Sequence, residues 1–466
     1  MKNNKREQVI LKVLLCACAI TIGTLLVVLL RHMMSISILP VLHCVVIVLL
    51  ILLLFGAGGY FLLHKKTAYR VLGILLIVLS IVGNIEGIYF YLDSEEALKT
   101  IANQTTEITS YGVYVLKDSE AESIADLENE IVGVSEDISD KKLAKKLDKY
   151  SIITSTYDSP MSSVEGLINE ECAGAVLNTS YVEMLEEKDN LRLVNEIKVS
   201  KKVEASNVIS SEKPFVVYIS GKDTWGHISV TSRSDVNIIA VVNPGTKHIL
   251  LVSTPRDYYV PLSISNGVKD KLTHSGIYGI EVSEATMEML YGIKMDHYFK
   301  LNYSGFEGLI DAMGGITVWS DYAFDVENIG HFKKGDNELS GLEALAFVRE
   351  RHSFARGDVQ RGVNQMNVIQ SVVQKLTSKA ILKNYGEILR KCDGTFATDL
   401  SSEEIADLVS FQLSNPGEWN IEKISVGGTG EYNNVYSLKK SVYVMDPNQD
   451  DIDNAKARIQ EVLDEI

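Results

Sequence analysis

Three apolar stretches fill the first 92 residues of the chain, at about 13–30, 36–63 and 71–92. Each reaches the ~18–20 residues that an α-helix needs to cross the hydrocarbon core of a bilayer. A cleavable signal peptide is the alternative for the first stretch. However, it has no small-residue cleavage site, and two further apolar stretches follow it closely. The pattern therefore predicts a three-span membrane anchor over residues 1–92.

Residues 98–207 alternate short apolar runs with amphipathic segments. The apolar runs at 111–116, 131–134 and 173–177 have the length of strands, and the segments between them have helical spacing. We expect a small accessory α/β domain here. The segments "SIADLENEIVGVSED" and "SSVEGLINEECAGAVLNTSYVEML" resemble one lobe of a periplasmic solute-binding protein. This resemblance implies that the domain binds a ligand or a partner, and a plain spacer is the alternative.

A second, larger domain is predicted to begin at residue 214. Its runs "PFVVYIS" and "VNIIAVV" are apolar on both faces, which is typical of strands inside a sheet covered by helices. "SGFEGLIDAMGG" has a helical stripe that ends on two glycines, and Ser340 with Glu343 forms a capping box before "FVRER", which we expect to be extended. The fold class is therefore α/β, with an α/β/α domain around a mixed sheet at 214–385 and a helix-and-strand extension at 386–466.

The charges of the chain are unevenly distributed. Residues 1–92 contain eight basic and two acidic residues, a net charge of +6, whereas residues 93–466 contain 37 basic and 59 acidic residues, a net charge of −22. Four basic residues precede the first apolar stretch and three separate the second from the third, but only Arg31 lies between the first and the second. The positive-inside rule then predicts a multi-pass protein of the cell membrane, with a cytoplasmic amino terminus and residues 93–466 outside. An exterior this acidic argues against a nucleic-acid partner.

The segment from Asp235 to Asp257 is expected to place an acid beside a base. "VNIIAVV", the turn at Pro244 and Gly245, and "HILLVS" predict an antiparallel hairpin. If the turn is centred there, Asp235 lies within a residue or two of Arg256, roughly 7 Å along the ladder. The pair would then meet at one end of the sheet.

Further arginines follow in a short stretch. In an extended "FVRER", Arg349 and Arg351 point to the same side, because side chains alternate along a strand. Asp358 is a suitable N-cap for the next helix, on which Arg361 and Gln365 lie one turn apart. The start of that helix adds backbone donors and a positive dipole end, which favour phosphate.

A single arginine pair is usually solvated or ion-paired, so only the combination of arginines and aspartates indicates a binding site. Four arginines and neighbouring aspartates in an acidic exterior indicate a ligand that is strongly anionic and can bring a divalent metal. Pyrophosphate with Mg²⁺ has this chemistry, since the metal bridges carboxylate and phosphate oxygens, while a guanidinium group binds phosphate through two parallel hydrogen bonds. The same oxygen ligands can take Mn²⁺.

Seven ordered blocks carry a family resemblance across residues 215–380. They are "SGKD", "SRSDVNIIAVV", "STPRDYYV", "KLTHS", "GLIDAMGGI", "LSGLEALAFVRERHSF" and "GDVQRGVNQ". Together they resemble the LytR-CpsA-Psr family. The three spans and the extra domain before the blocks are similar to its capsule-associated streptococcal, CpsA-like branch.

The resemblance implies roles for individual residues. Asp223 and Asp235 would be magnesium ligands, and one of them would also accept the proton of the attacking hydroxyl. The pyrophosphate would be held by Arg256, Arg349, Arg351, Arg361 and Gln365. A functional role for Asp358 follows less directly from the resemblance, because the residue can serve simply as the cap of its helix. Arg356, in the loop between the arginine motifs, is expected to be an exposed charge.

The resemblance also implies an activity. The chain would be a Mg²⁺-dependent phosphotransferase or glycan ligase that attaches a polyprenyl-pyrophosphate-linked polysaccharide, of capsular type, to peptidoglycan. In the expected mechanism a wall-sugar hydroxyl attacks the anomeric carbon and the lipid pyrophosphate leaves. The expected partners are the lipid-linked glycan, peptidoglycan, the membrane and other membrane proteins of capsule assembly. The alternatives are an extracellular polyprenyl-pyrophosphate phosphatase and a non-enzymatic regulator or scaffold of capsule synthesis.

Overall fold

The computed structural model describes residues 2–102, 106–136, 138, 141–203, 210–378, 394 and 396–465, and the chain divides into two compact units. The first unit contains Met1–Thr100, Leu382–Arg390 and Ser401–Gly417. The second contains Ile101–Ile381, Lys391–Leu400 and Glu418–Ile466. The predicted domain boundaries near residues 207 and 386 lie outside the described residues.

Three long helices begin the chain: α1 (Lys2–Ser35), α2 (Val41–Leu62) and α3 (Thr67–Ala102). All three are long and apolar enough to cross a membrane, as the sequence predicted. α3 continues beyond residue 92, where the apolar pattern ends. It continues because residues 93–102 include Glu, Ala, Leu and Lys, which favour helix, and contain no Gly or Pro.

The second unit begins with a mixed five-stranded sheet of order β3-β2-β4-β1-β5. Its elements are β1 (Thr106–Leu116), β2 (Ile131–Ser135), α4 (Lys141–Leu147), β3 (Ile153–Tyr157), α5 (Pro160–Ile168), β4 (Gly174–Asn178), α6 (Thr179–Val182) and β5 (Leu191–Lys202). Val113, Val132 and Val176, one from each of three adjacent strands, are fully buried between the sheet and α4. The α/β character predicted for this region is confirmed.

A larger mixed sheet has the order β16-β11-β6-β7-β8-β17. The remaining elements are β6 (Phe215–Lys222), β7 (Ser234–Asn243), β8 (His248–Thr254), β9 (Tyr259–Pro261), β10 (Lys269–Lys271), α7 (Ile280–Tyr291), β11 (His297–Leu301), α8 (Tyr303–Ala312), β12 (Ile316–Ser320), β13 (Phe324–Val326), β14 (Gly330–Phe332), β15 (Gly335–Leu339), α9 (Gly341–Arg349), α10 (Asp358–Leu376), β16 (Phe396–Thr398), α11 (Ser402–Ser414), β17 (Asn420–Ser425), β18 (Gly428–Asn434), β19 (Ser441–Pro447) and α12 (Gln449–Asp464).

Helices cover both faces of the larger sheet. Along β7 and β8, Val241 and Leu250 point to one face and pack with residues of α7 and α12. Their neighbours Ala240 and Leu251 point to the other face and pack against Met366 of α10. Because side chains alternate along a strand, a strand buried on both faces is apolar at nearly every position, which is the pattern of "VNIIAVV" apart from Asn237. The predicted α/β/α domain with a mixed sheet is confirmed.

The two sheets share a cluster of buried charges. Glu107 of β1 accepts a hydrogen bond at 2.6 Å from Lys300 of β11 and lies 3.7 Å from the ammonium of Lys222 at the end of β6. The other carboxylate oxygen of Glu107 accepts the backbone N–H of Ile280, the first residue of α7, at 3.0 Å. Regions 98–207 and 214–385, predicted as separate domains, are thus joined through an acid that the second region needs for its own buried lysines.

Helix α11 belongs to the first unit. Ala406 is buried with Ile38 and Leu98, at the ends of the long helices. A capping box between Ser401 and Glu404 fixes the start of α11. The predicted extension at 386–466 is therefore divided, since β16–β19 and α12 lie in the second unit and α11 in the first.

Candidate active site

Asp235 and Arg256 meet at one end of the β7–β8 hairpin. Asn237 pairs with Thr254, so the two charged residues each lie two positions beyond this pair, at the same end of the hairpin. A guanidinium nitrogen of Arg256 donates to the Asp235 carboxylate at 2.5 Å, and the Thr273 hydroxyl donates to its other oxygen at 2.9 Å. The hairpin and the meeting of acid and base are as the sequence predicted.

Asp223 lies directly after β6, where Arg233 pairs with its carboxylate. Burial, together with the negative charge of nearby Asp235, raises the pKa of Asp223. Burial also opposes ionisation of Asp235, but the positive charges of Arg256 and Arg361 outweigh it and lower the pKa of that carboxyl. The two carboxylates are close enough to influence each other, and Asp223 is the one that takes up a proton more readily.

Helix α10 brings the next two predicted residues to the same place. Arg361 is 8 % exposed; its guanidinium lies 2.6 Å from the Asp358 carboxylate and donates to the backbone carbonyl of Asp235 at 3.4 Å. Gln365, one turn further on, donates to the carbonyl of Val348 at 3.4 Å. Asp358 was expected to be the N-cap and is instead the first residue of the helix. Gly357 holds the N-cap position, and no side chain caps it.

These side chains line an open cleft with about 250 Å³ of empty space. Its lining residues are Asp235, Ser253, Thr254, Pro255, Arg256, Asp358, Val359, Arg361, Gly362, Gln365, Ser425 and Val426. A Cβ atom on Gly362 would collide with the Ser253 hydroxyl, so this glycine lets α10 approach β8. The cleft therefore combines the end of the hairpin with the start of a 19-residue helix, whose backbone N–H groups and dipole favour an anion.

The segment "FVRER" is not extended, and this prediction was wrong. Helix α9 continues through Arg349, and Glu350, its C-cap, has an extended backbone. The helix persists because Ala, Leu and Arg favour it and the capping box stabilises its start. The guanidinium carbon of Arg349 lies 4.4 Å from the centre of the Tyr303 ring, while Arg351 contacts the imidazole of the adjacent His352 at 3.4 Å. Neither arginine lines the cleft.

One donor in the cleft lacks an acceptor. Nε of Arg256 is buried and makes no hydrogen bond to any residue in the described part of the chain. The nearest carboxylate oxygen, on Asp257, lies 3.7 Å from this nitrogen, beyond hydrogen-bond distance. A buried guanidinium N–H without a hydrogen bond costs free energy, so its position suits an anionic oxygen supplied by a ligand. This unsatisfied donor is the feature that most directly indicates phosphate binding.

The carboxylates also fit a divalent metal shared with phosphate. Within the described ranges, no cluster of three or more His, Cys, Asp and Glu side chains could hold a metal by itself. Magnesium in phosphate-binding sites, however, takes one or two carboxylates and completes its shell with phosphate oxygens and water. The pair Asp223 and Asp235, electrostatically coupled beside the cleft, supplies that number of ligands.

Sequence reasoning missed three residues that shape the site. Arg233 pairs with Asp223, Thr273 donates to Asp235, and Tyr303 lies under the guanidinium of Arg349. Arg233 and Thr273 were inside the blocks "SRSD" and "KLTHS", so their proximity to predicted site residues was the available signal. Tyr303 had none, because only the packing of α8 against α9 brings it there.

A buried Ser, His and Asp group in the second unit is not a catalytic triad. His274 Nδ1 contacts both the Asp270 carboxylate, at 2.7 Å, and the Ser437 hydroxyl, at 2.9 Å. In a triad the acid and the nucleophile bind opposite ring nitrogens. All three residues are also closed off from solvent. The group is a structural polar network between the 270–274 segment and the loop before β19.

Comparison with known proteins settles the family. The LytR_cpsA_psr family profile matches residues 180–460, more than half of the chain and all of the cleft. The chain belongs to this family. The LytR-CpsA-Psr assignment from the seven sequence blocks is therefore confirmed.

Named relatives are similar to about half of the chain. The polyisoprenyl-teichoic acid–peptidoglycan teichoic acid transferase TagU of Bacillus cereus is 33% identical over 223 residues, 48% of this chain and 71% of the relative. TagU of Bacillus licheniformis is 32% identical over 215 residues, 46% of this chain and 69% of the relative. The crystal structure of B. subtilis TagV is similar at a TM-score of 0.47 and 26% identity, covering 55% of this chain and 99% of that chain.

Proposed function

We propose that the protein is a membrane-anchored glycopolymer transferase that moves a polyprenyl-pyrophosphate-linked glycan onto peptidoglycan. The family assignment and the names of the relatives support the reaction class. The observation that carries the proposal is the cleft itself. It holds two arginines, Arg256 with an unsatisfied buried donor and Arg361, at the start of a helix. This arrangement is suited to binding a pyrophosphate. Binding of an uncharged sugar chain alone would not require it.

The protein groups would act mainly by stabilising negative charge. Arg256, Arg361 and the first backbone N–H groups of α10 would bind phosphate oxygens, on which charge grows as the lipid carrier leaves. Asp223, whose pKa is raised by burial and by Asp235, is the stronger base of the two carboxylates and would accept the proton of the attacking hydroxyl. Bound Mg²⁺, or Mn²⁺, on Asp223 and Asp235 would neutralise further phosphate charge.

Two bonds could break in such a transfer. Attack on the anomeric carbon releases lipid pyrophosphate, as the sequence-based mechanism expects, whereas attack on the phosphorus that bears the glycan releases lipid phosphate and leaves one phosphate in the product. Both routes place the growing charge on oxygens that the same arginines would bind. The phosphorus content of the new wall linkage distinguishes them.

We propose capsular polysaccharide as the glycan, with teichoic acid as the second candidate. The three long helices and the five-stranded accessory sheet support the first, because they match the pattern of the capsule-associated branch. The names of the relatives support the second, since they specify teichoic acid. Supplying the two lipid-linked polymers in competition would show which one the enzyme prefers.

The cleft is expected to face the outside of the cell. The basic residues at the amino terminus and between α2 and α3 support this orientation. Protease added to intact protoplasts should release fragments from the region after α3, and the same region should be protected in inverted vesicles. Protection in protoplasts would contradict the outward orientation.

Hydrolysis and scaffolding are the competing functions. A phosphatase would consume the lipid-linked donor at the same rate with or without peptidoglycan, and a scaffold would not consume it. We expect the purified full-length chain, in detergent with Mg²⁺, to release the lipid carrier only when peptidoglycan is present. Equal release in its absence would identify a phosphatase, and no release under either condition would support the scaffold.

A further inference from the structure

An exposed tryptophan lies two residues after Asp223. Trp225 is 58% exposed, in the loop between β6 and β7. A single exposed apolar side chain is ordinary on a protein surface and by itself indicates nothing. Trp225 differs from such a side chain because its loop and its ring both contact the start of α8.

The loop is fixed on both sides of Trp225 by the start of α8. The backbone N–H of Tyr303 donates to the carbonyl of Thr224 at 3.1 Å. After the tryptophan, Gly226 donates to the Ser304 hydroxyl at 3.1 Å and accepts from the Asn302 amide at 2.8 Å. The indole is therefore displayed on an ordered backbone, and a ligand that stacks on it would lose little free energy in ordering the loop.

Trp225 also packs on an aromatic ring of the candidate active site. Its ring centre lies 5.4 Å from that of Tyr303, at an interplanar angle of 63°. Burial raises the pKa of the Tyr303 hydroxyl, the charges of Asp235 and Asp223 raise it further, and those of Arg349 and Arg361 oppose the rise. Tyr303 is thus close enough to these charged side chains for their fields to act on it, and Trp225 lies directly against the Tyr303 ring.

We propose that Trp225, held by the edge contact of its ring with Tyr303, is a stacking platform for a pyranose ring of a glycan substrate. One face of a pyranose carries several C–H groups and packs against a flat aromatic surface, and tryptophan offers the largest such surface at low entropic cost. The inference rests on the proposed transferase function and names a subsite within it. The ring belongs either to the donor sugar next to the pyrophosphate or to the peptidoglycan acceptor, because both must reach the cleft.

The kinetic test compares two exposed tryptophans in the full-length chain. Trp225→Ala should raise the KM of the sugar that stacks by roughly 5- to 10-fold, the loss expected for one aromatic contact, with a smaller change in kcat. Trp225→Phe should recover part of this loss. Trp319→Ala is the matched control. Trp319 is 53% exposed, its indole donates to Asp321 at 3.0 Å, and it lies in β12, outside the loop that follows Asp223.

Fluorescence of the same variants identifies the source of the ring. We would titrate each variant with a peptidoglycan disaccharide fragment and, separately, with a glycan pyrophosphate that lacks the polyprenyl chain. A change that occurs in wild type and in Trp319→Ala but is absent from Trp225→Ala supports the platform, and the ligand that causes it names the acceptor or the donor.

These measurements distinguish an error in the proposed platform from an error in the proposed function. If wild type transfers glycan and Trp225→Ala matches it in KM for both substrates, with an unchanged fluorescence response, the platform is overturned and the transferase stands. If wild type itself transfers no glycan, the proposed function fails, and binding of either sugar ligand at Trp225 remains measurable by fluorescence.

Discussion

Arg256→Ala is expected to lower the rate of glycan transfer by roughly 10²- to 10³-fold, the usual cost of removing one preorganised electrostatic contact to a growing charge. The side chain pairs with Asp235 and carries the unsatisfied donor of the cleft, so its loss removes charge where the phosphate would bind. Arg256→Lys should also be impaired, because an ammonium keeps the charge but cannot form two parallel hydrogen bonds. The rates are measured with labelled donor and purified peptidoglycan.

Arg356→Ala is the matched control for this prediction. Arg356 is exposed, as the sequence predicted, and lies in the loop before α10. It should transfer glycan at the wild-type rate. Asp235→Ala should be as impaired as Arg256→Ala, and it should also lose any dependence of the rate on added Mg²⁺. A folded Asp235→Ala variant that transfers at the wild-type rate in the presence of a chelator would refute the metal and pyrophosphate site.

Glu107→Ala is expected to lower the free energy of unfolding by about 3–5 kcal/mol, the cost of removing one partner from a buried ion pair. Lys300 is fully buried and would lose its carboxylate partner, and Lys222 would lose the nearest negative charge. Denaturant unfolding of the full-length chain can be followed by tryptophan fluorescence. All three tryptophans lie in the second unit, so the signal reports that unit alone.

Two further variants test whether the destabilisation by Glu107→Ala comes from the loss of its charge. Glu130→Ala removes an exposed glutamate beside the same sheet and should change the free energy of unfolding by less than ~0.5 kcal/mol. Glu107→Gln with Lys300→Met should be more stable than Glu107→Ala, because it removes the uncompensated charge as well as the acid. Burial is the largest cause that lowers the pKa of Lys222 to about 7 in the native chain. It persists in the double variant, where the opposing charge of Glu107 is gone, so Lys222 can remain uncharged. A Glu107→Ala variant as stable as Glu130→Ala would show that the cluster contributes nothing.

The stability contributed by Glu107 has a defined pH dependence. Burial disfavours its charged form, but Lys300 and Lys222 outweigh burial and lower its pKa in the folded chain. The contribution should therefore be complete above the unfolded pKa of about 4.3 and be lost as the pH falls towards the lower folded value.

Local patterns were enough to predict the sheets and the hairpin of this chain. Runs such as "VNIIAVV" are apolar at every position except Asn237, which is typical of a strand covered on both faces. The Pro244 and Gly245 turn sets the register that brings Asp235 to Arg256. These features depend on neighbours in sequence or on one hairpin, so no tertiary information was needed.

One error was local, and the others occurred where long-range packing decides the structure. Residues 347–351 were expected to be extended because their arginines alternate, but the helix started by Ser340 continues through Arg349 and sends that side chain to Tyr303. Helix α11 has an ordinary amphipathic sequence, and nothing in it indicates that Ala406 would pack with Ile38 and Leu98. The link from Glu107 to Lys300 joins residues far apart in sequence and was likewise invisible to periodicity.

The location of the glycan after the reaction tests the central claim most directly. Purified full-length protein would be incubated with Mg²⁺, peptidoglycan and a donor labelled in its glycan, and the washed peptidoglycan would then be digested and analysed by mass spectrometry for glycan-bearing muropeptides. The proposed function predicts labelled glycan covalently attached to peptidoglycan with wild type and Arg356→Ala, and almost none with Arg256→Ala. Donor that is consumed by wild type while all label stays in free glycan, or attachment that is equal in wild type and Arg256→Ala, would contradict it.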